Sequence, residues 1–300
     1  MKPRVDPLTT TAIAVALVAV SFSGPLIAFA AAPPLAMAFW RNSLAVGVLA
    51  PFTLAKRPGE LRDLRHKPQG RYSVYAGLAL AAHFATWMPS VHLTTVATAT
   101  ALVATQPIWQ NLIARLQGRK LPAATWLGTL LAVAGVTIAT GADFSTAGPA
   151  LAGDLLAIAG AIAAAIYTAF GERAREAVTT TTYTLVCYSI CAALLLTGCL
   201  IFKIPLIGFT PTTWLAIGGL VVGAQLLGHS MFNYALHKVS ASTISLLILL
   251  EVPGAALIAW LWLGQVPRPE ALPGLALLLA GLATVVITST RAARRTPVPA

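Results

Sequence analysis

Apolar stretches of about 20 residues, the length at which an α-helix crosses a bilayer, recur from one end of this 300-residue chain to the other. Ten are counted, at roughly 8–29, 35–55, 72–90, 93–115, 123–141, 152–171, 180–202, 211–235, 239–263 and 270–290. A water-soluble core cannot hide so many of them. The composition agrees: 57% of residues are hydrophobic and 10% charged, against about 25% charged in an ordinary soluble domain, too few to cover a water-facing surface. The connections are short and rich in Pro, Gly or charge, with no room for a soluble domain. The expectation is an all-α, multi-pass membrane protein of ten spans.

The net charge of +11 raises the question of a nucleic-acid partner, and its distribution answers it. With the N-terminus in the cytoplasm, 17 of the 20 Lys and Arg fall in segments on the inner side. Only Lys203 and Arg268 lie outside, and Arg41 falls within a span. Cytoplasmic loops carry just such an excess, so both termini are expected in the cytoplasm and the protein in the inner (plasma) membrane. The basic residues encode topology and form no concentrated groove for phosphates; no nucleic acid is expected. The opening "MKPR", an apolar run and "AFA" at 28–30 resemble a cleavable signal. The run is longer than a signal core, however, and its removal would leave an odd number of spans with the wrong charge bias. It is read as the first span. Cys187, Cys191 and Cys199 share one span without a paired-motif spacing and are read as packing residues.

Slid along itself by 146 residues, the sequence brings Gly77 onto Gly223, His83 onto His229, Pro107 onto Pro253, Gly118 onto Gly264, Gly128 onto Gly274 and Gly135 onto Gly281, with no gap. A bias toward Ala and Leu cannot produce coincidences among Gly, His and Pro. Two repeats of five spans follow, residues 1–146 and 147–300, within one integral membrane domain. Five is odd, so the second must enter the membrane from the opposite side. Inverted repeats of this kind are associated with secondary transporters that alternate access around a midplane site.

Four stretches carry a family resemblance: "APPLAMAFWRNSLA" (32–45), "LGTLLAVAG" (127–135), "GDLLAIAGAIAAAIYTAFGER" (153–173) and "LLEVPGAALIAWLWLGQ" (249–265). They resemble the EamA family of the drug/metabolite transporter superfamily, over nearly the whole chain. The resemblance implies two inverted five-helix halves, with helices 1–4 and 6–9 around a central cavity and helices 5 and 10 set apart. It also implies export of amino acids, related metabolites or toxic compounds. The family often has an acid after the Leu-Gly that ends helices 4 and 9. Here Arg119 follows Gly118 and Gln265 follows Gly264, so no role for that acid carries over.

Polar residues inside spans sharpen the picture, because a charge at a span centre costs about 2.5–3.5 kcal/mol. Arg41 in span 2 and Glu251 in span 9 are the ionisable candidates. Each is open to a structural reading; Glu251 is also open to a proton-coupling one, and Arg41 to lining the substrate cavity. Span 8 carries Gln225, His229 and Asn233 at i, i+4 and i+8, a stripe that lipid cannot satisfy. Its repeat mate, span 3, has His83 and Trp87; span 4 has Gln106 and Gln110; span 6 offers Tyr167. Together these make a candidate cavity wall for a small polar or zwitterionic solute; the alternative is interhelical hydrogen bonding. Pro107 and Pro253 loosen spans 4 and 9, one toward each side of the membrane, and are candidate hinges for two gates, or static kinks. Spans 5 and 10 carry Gly128 and Gly135, and Gly274 and Gly281, seven apart. Such faces suit close helix contact, as scaffold or as a homodimer surface.

A transporter accounts for the repeat and the polar interior together. For an enzyme, no H-E-x-x-H, Gly-x-Ser-x-Gly or Walker-type motif is present. Two histidines on separate spans and one Glu, with no further acids well inside the spans to orient them, do not argue for a metal. No cofactor is expected. The reading is a secondary exporter of small metabolites, amino acids or related compounds first. A multidrug or toxic-cation exporter, a non-transporting scaffold and a membrane-embedded enzyme are the alternatives.

Overall fold

The computed structural model describes residues 6–94, 96–141, 148–263 and 269–295. Among them the chain is helical throughout, with no strand. The first half holds α1 (Pro7–Ser21), α2 (Ser23–Phe29), α3 (Pro34–Lys56), the short α4 (Pro58–Asp63), α5 (Pro68–Leu93), α6 (Val96–Val103), α7 (Gln106–Leu116) and α8 (Ala123–Thr140). The second holds α9 (Gly148–Ala174), α10 (Thr180–Ile201), α11 (Pro211–Leu220), a π-helical stretch at Val221–His229, α12 (Ser230–Ala235), α13 (Ala241–Ile248), α14 (Glu251–Leu263) and α15 (Ala271–Arg295). Proline stands in the first turn of α1, α3, α4, α5, α7 and α11, where a helix has no N–H bond to lose. Side chains of Asp6, Thr210 and Ser240 cap α1, α11 and α13.

Eight stretches are long and apolar enough to cross a membrane: Pro7–Ile27, Pro34–Lys56, Ala123–Thr140, Gly148–Ala174, Thr180–Ile201, Pro211–Ala235, Ala241–Ile258 and Ala271–Thr288. The protein is therefore multi-pass. Ten windows were expected, and the two that differ do so for visible reasons. The 72–90 window lies in α5, a 26-residue helix whose Tyr72, Tyr75, His83 and Trp87 dilute its apolar character. The 93–115 window is divided between α6 and α7.

Helix pairing respects the repeat. α8 packs along α15, and α3 along α10, each with its own mate; α5 packs along α9, as the π-helical stretch packs along α1. The α8–α15 seam is built on glycine. A Cβ on Gly281 would stand 2.5 Å from the Gly128 carbonyl oxygen, and one on Gly135 would stand 2.6 Å from that of Gly274. These crossed contacts mean that α8 and α15 run antiparallel. The glycine faces expected to serve a scaffold or a dimer are therefore both consumed within one chain. A homodimer through these helices would have to use outward residues such as Leu127, Leu130 and Leu279, which are exposed.

The two prolines expected to loosen continuous spans stand just after two-residue interruptions of the helix. α6 ends at Val103 and α7 begins at Gln106, with Pro107 in its first turn. α13 ends at Ile248 and α14 begins at Glu251, with Pro253 third in the helix. Across the second break Leu249 N–H donates to Leu246 O (3.1 Å), Leu250 to Leu247 (3.0 Å) and Val252 to Leu249 (3.2 Å). Tight three-residue turns thus satisfy carbonyls that a broken helix would otherwise strand in lipid. An acid and a proline side by side in an apolar segment now have a physical account. Pro253 falls in a first turn, and Glu251 sits at the electropositive end of the new half-helix.

Candidate functional site

The most polar part of the interior lies where α3 meets the π-helical stretch. Arg41 and Asn42 come from α3, and both are buried. Arg41 Nε donates to Gln225 Oε1 at 2.8 Å, and Gln225 Nε2 donates to Asn42 Oδ1 at 3.1 Å. Asn42 in turn donates to the Ala38 carbonyl at 2.8 Å. One amide of the second half thus bridges two polar residues of the first. The Arg41 guanidinium also lies over the Phe84 ring, 4.6 Å from its centroid, a contact that aids a desolvated cation by about 2 kcal/mol.

The widened π turn positions Gln225. Its carbonyl accepts from Ser230 N–H and, at 3.1 Å, from Ser230 Oγ, and Tyr188 of α10 shares a 3.1 Å hydrogen bond with the same hydroxyl. Such π turns occur often at functional sites. The predicted stripe faces inward along its length: Gln225 is 0% exposed and Asn233 1%. His229 sits between them against aromatic rings, 6.0 Å from Phe84 and 6.3 Å from Tyr167. Tyr167 OH donates to Asn233 Oδ1 at 2.8 Å.

Span 3 contributes the other wall. His83 Nδ1 lies 2.9 Å from the Gly160 carbonyl oxygen on α9; a carbonyl only accepts, so that nitrogen carries the proton. Trp87 stacks on His83 at 5.6 Å and 7°, and a Cβ on Gly160 would stand 2.9 Å from the Trp87 Cβ. Glycine there lets α9 approach closely enough for the histidine bond. Arg41, His83, Trp87, Tyr167, Gln225, His229 and Asn233 thus form one connected cluster. Gln106 is buried apart from it, donating to Thr168 of α9 at 3.2 Å; Gln110, 2% exposed, lies one turn further along α7. Glu251 is half-buried, and no ion pair joins it to Arg41 among the described residues.

Asn42, Phe84, Tyr188 and Ser230 were not singled out from the sequence. The signal for Asn42 was present, a second polar residue beside Arg41 in an apolar span. Phe84, Tyr188 and Ser230 look like ordinary span residues, and only their contacts give them roles. An open apolar groove of about 460 Å³ runs along the surface between α1 and the π-helical stretch, bounded by Ala14, Val18, Phe22 and Gly223 among others. Another, of about 170 Å³, is bounded by Pro122, Thr125, Ser240 and Thr243 among others. Within the polar cluster Arg41, Gln225 and Asn233 are buried, while Trp87 and His229 keep partial exposure.

Contacts between the halves also gather at the two ends of the bundle. At the basic end Lys238 pairs with Asp6, and Arg119 pairs with Glu172 at 3.0 Å. Gly118, at φ +82°, ends α7 in the left-handed conformation that turns Arg119 toward that acid; its mate Gly264, with Gln265, lies outside the described residues. Glu60 of α4 accepts from Thr179 N–H, Thr179 Oγ1 and Thr182 Oγ1, each at 2.7 Å. Burial would raise the Glu60 carboxyl, but these bonds together outweigh it and hold it below the ordinary range. At the opposite end Trp40 Nε1 donates to the Leu206 carbonyl at 2.7 Å and packs edge-on against Trp214 at 5.2 Å.

A family model described as the EamA-like transporter family matches this chain twice, over residues 8–141 and 151–287. Among solved structures, one described as "Crystal structure of protein" is 21% identical with a TM-score of 0.80, over 94% of this chain and 98% of that one. At that identity the likeness concerns the fold alone. No curated protein matches.

Proposed function

The chain belongs to the EamA-like transporter family and is a membrane transporter; from that premise we propose that it exports small polar metabolites, amino acids or related compounds, by alternating access. The observation that carries the reading is the Arg41–Gln225 bond. It places a buried polar centre, rich in hydrogen-bonding groups, where the two repeats meet. The antiparallel α8–α15 seam supports inverted halves. The breaks at α6–α7 and α13–α14 are the discontinuous helices such transporters use at a midplane site. With α5 and the α6–α7 pair taken as crossings beside the eight, the count is ten. The basic end is then cytoplasmic, with both termini, and the membrane is the inner (plasma) membrane.

In this reading the buried Arg41–Gln225–Asn42 centre belongs to an occluded state. The Asp6–Lys238, Glu60–Thr179 and Arg119–Glu172 contacts hold the cytoplasmic side shut, and Trp40 with Trp214 the external side. Pro107 and Pro253 start the half-helices that swing. Glu251 carries coupling to protons. A multidrug exporter for cations is disfavoured by the positive charge of Arg41 at the centre. The test is uptake of radiolabelled amino acids into proteoliposomes with and without a pH gradient. Saturable uptake above empty vesicles supports the proposal, and its absence across the set rejects it. Transport that ignores the gradient and survives Glu251→Gln removes the coupling role.

A further inference from the structure

Arg41 is 1% exposed, yet its bonding is incomplete. Its Nε is taken by a neutral amide and its face by the Phe84 ring, while Nη2 is buried with no acceptor. Among the described residues no carboxylate lies within ion-pair distance of it. A buried cation without a counter-charge is strongly disfavoured, and amide dipoles do not replace an anion. Two further donors of the same cluster are also buried without acceptors, Trp87 Nε1 and Asn233 Nδ2. Ring contacts connect them to Arg41: Phe84 to His83 at 5.1 Å, His83 to Trp87 at 5.6 Å and Phe84 to His229 at 6.0 Å. The cluster therefore has donors to spare and a single fixed positive charge.

We propose that Arg41 docks a carboxylate of the transported solute, which supplies its missing counter-charge. This rests on the transporter reading and makes it more specific. A guanidinium with a free Nη2 presents the planar N–H geometry that a carboxylate accepts. One cation balances a monoanion, whereas a phosphate ester would call for more. Arg41 belongs to the first half and its partner Gln225 to the second, so a solute held at Arg41 lies where the halves meet.

The test uses the full chain purified in detergent, with thermal unfolding as readout. The probes are two matched sets: L-leucine, leucinamide, isoamylamine and isovalerate; and L-phenylalanine, phenylalaninamide, phenethylamine and 3-phenylpropionate. A ligand that binds only the folded form raises the midpoint. The carboxylates of at least one set are expected to raise it by about 2 °C or more, and the amides and amines to leave it unchanged. Arg41→Gln should weaken carboxylate binding at least tenfold, and Arg41→Lys less. The proposal is overturned if amides or amines shift the midpoint as much as the acids, if no carboxylate shifts it, or if the response survives Arg41→Gln. Should Arg41→Gln not fold, the wild-type series and Arg41→Lys still decide. Saturable transport of a solute without a carboxylate, indifferent to Arg41→Lys, would sink this inference and leave the transporter standing. Carboxylate binding at Arg41 with no transport of any probe would do the reverse.

Discussion

Replacing Gly281 by Ala adds one methyl group to the α8–α15 seam, and the structure says where it would go. The new Cβ would stand 2.5 Å from Gly128 O, 2.5 Å from Ala132 N and 2.9 Å from Ala132 Cα. All three are backbone atoms of α8, so no side chain can rotate away. Carbon normally approaches a carbonyl oxygen to about 3.3 Å, so α8 and α15 must part locally by about 0.8 Å. A gap of that size forfeits a quarter to a half of each dispersion contact across the seam, in line with the usual overpacking penalty of about 1–3 kcal/mol. Against this, Ala favours a helix over Gly by about 1 kcal/mol, leaving a net loss of up to about 2 kcal/mol. For a chain of this size that lowers the melting midpoint by up to about 4 °C, measurable by thermal unfolding in detergent. Gly198→Ala in α10 is the control, since a Cβ there meets nothing within 4 Å; it should be neutral or stabilising by up to about 1 kcal/mol. If Gly281→Ala and Gly198→Ala behave alike, the intramolecular glycine seam is wrong.

Other outcomes follow from the same structure. Glu60→Gln weakens three carboxylate hydrogen bonds at the start of α10 and should lower stability by about 1–3 kcal/mol at neutral pH. Because the folded Glu60 carboxyl is held below its unfolded value, its contribution is full above the unfolded pKa, about 4.3. It is lost as pH falls through the folded value. The wild-type advantage over Glu60→Gln should thus be flat from pH 6 to 8 and shrink below pH 4; a steady decline across pH 6–8 refutes it. Gln225→Leu strands Arg41 Nε and Asn42 Oδ1 and should cost about 3–5 kcal/mol in unfolding measurements. Gln225→Glu, which hands Arg41 a permanent counter-charge, should fold and lose the carboxylate response. Pro107→Ala and Pro253→Ala should leave the fold intact, since the breaks carry their own turns, but slow turnover in proteoliposomes; unchanged rates in both variants reject the hinge role.

The sequence by itself determined the solvent, and with it much of the architecture. Runs of 20 apolar residues admit only helices, because lipid leaves no other way to satisfy a backbone. Polar residues in those runs had to face inward, and Gln225, His229 and Asn233 do. The seven-residue glycine spacing announced close helix contact, and Pro107 and Pro253 announced weak points. What no local pattern could give was the partner of each feature. That the glycines of α8 meet those of α15, that Gln225 reaches Arg41 across 184 positions, and that the helices are interrupted just before the prolines were decided by tertiary packing. The reason is physical: burial is a property of one residue and its solvent, which composition and period record. A hydrogen bond or a helix seam is a property of two surfaces, and chain distance carries no information about which surfaces will meet.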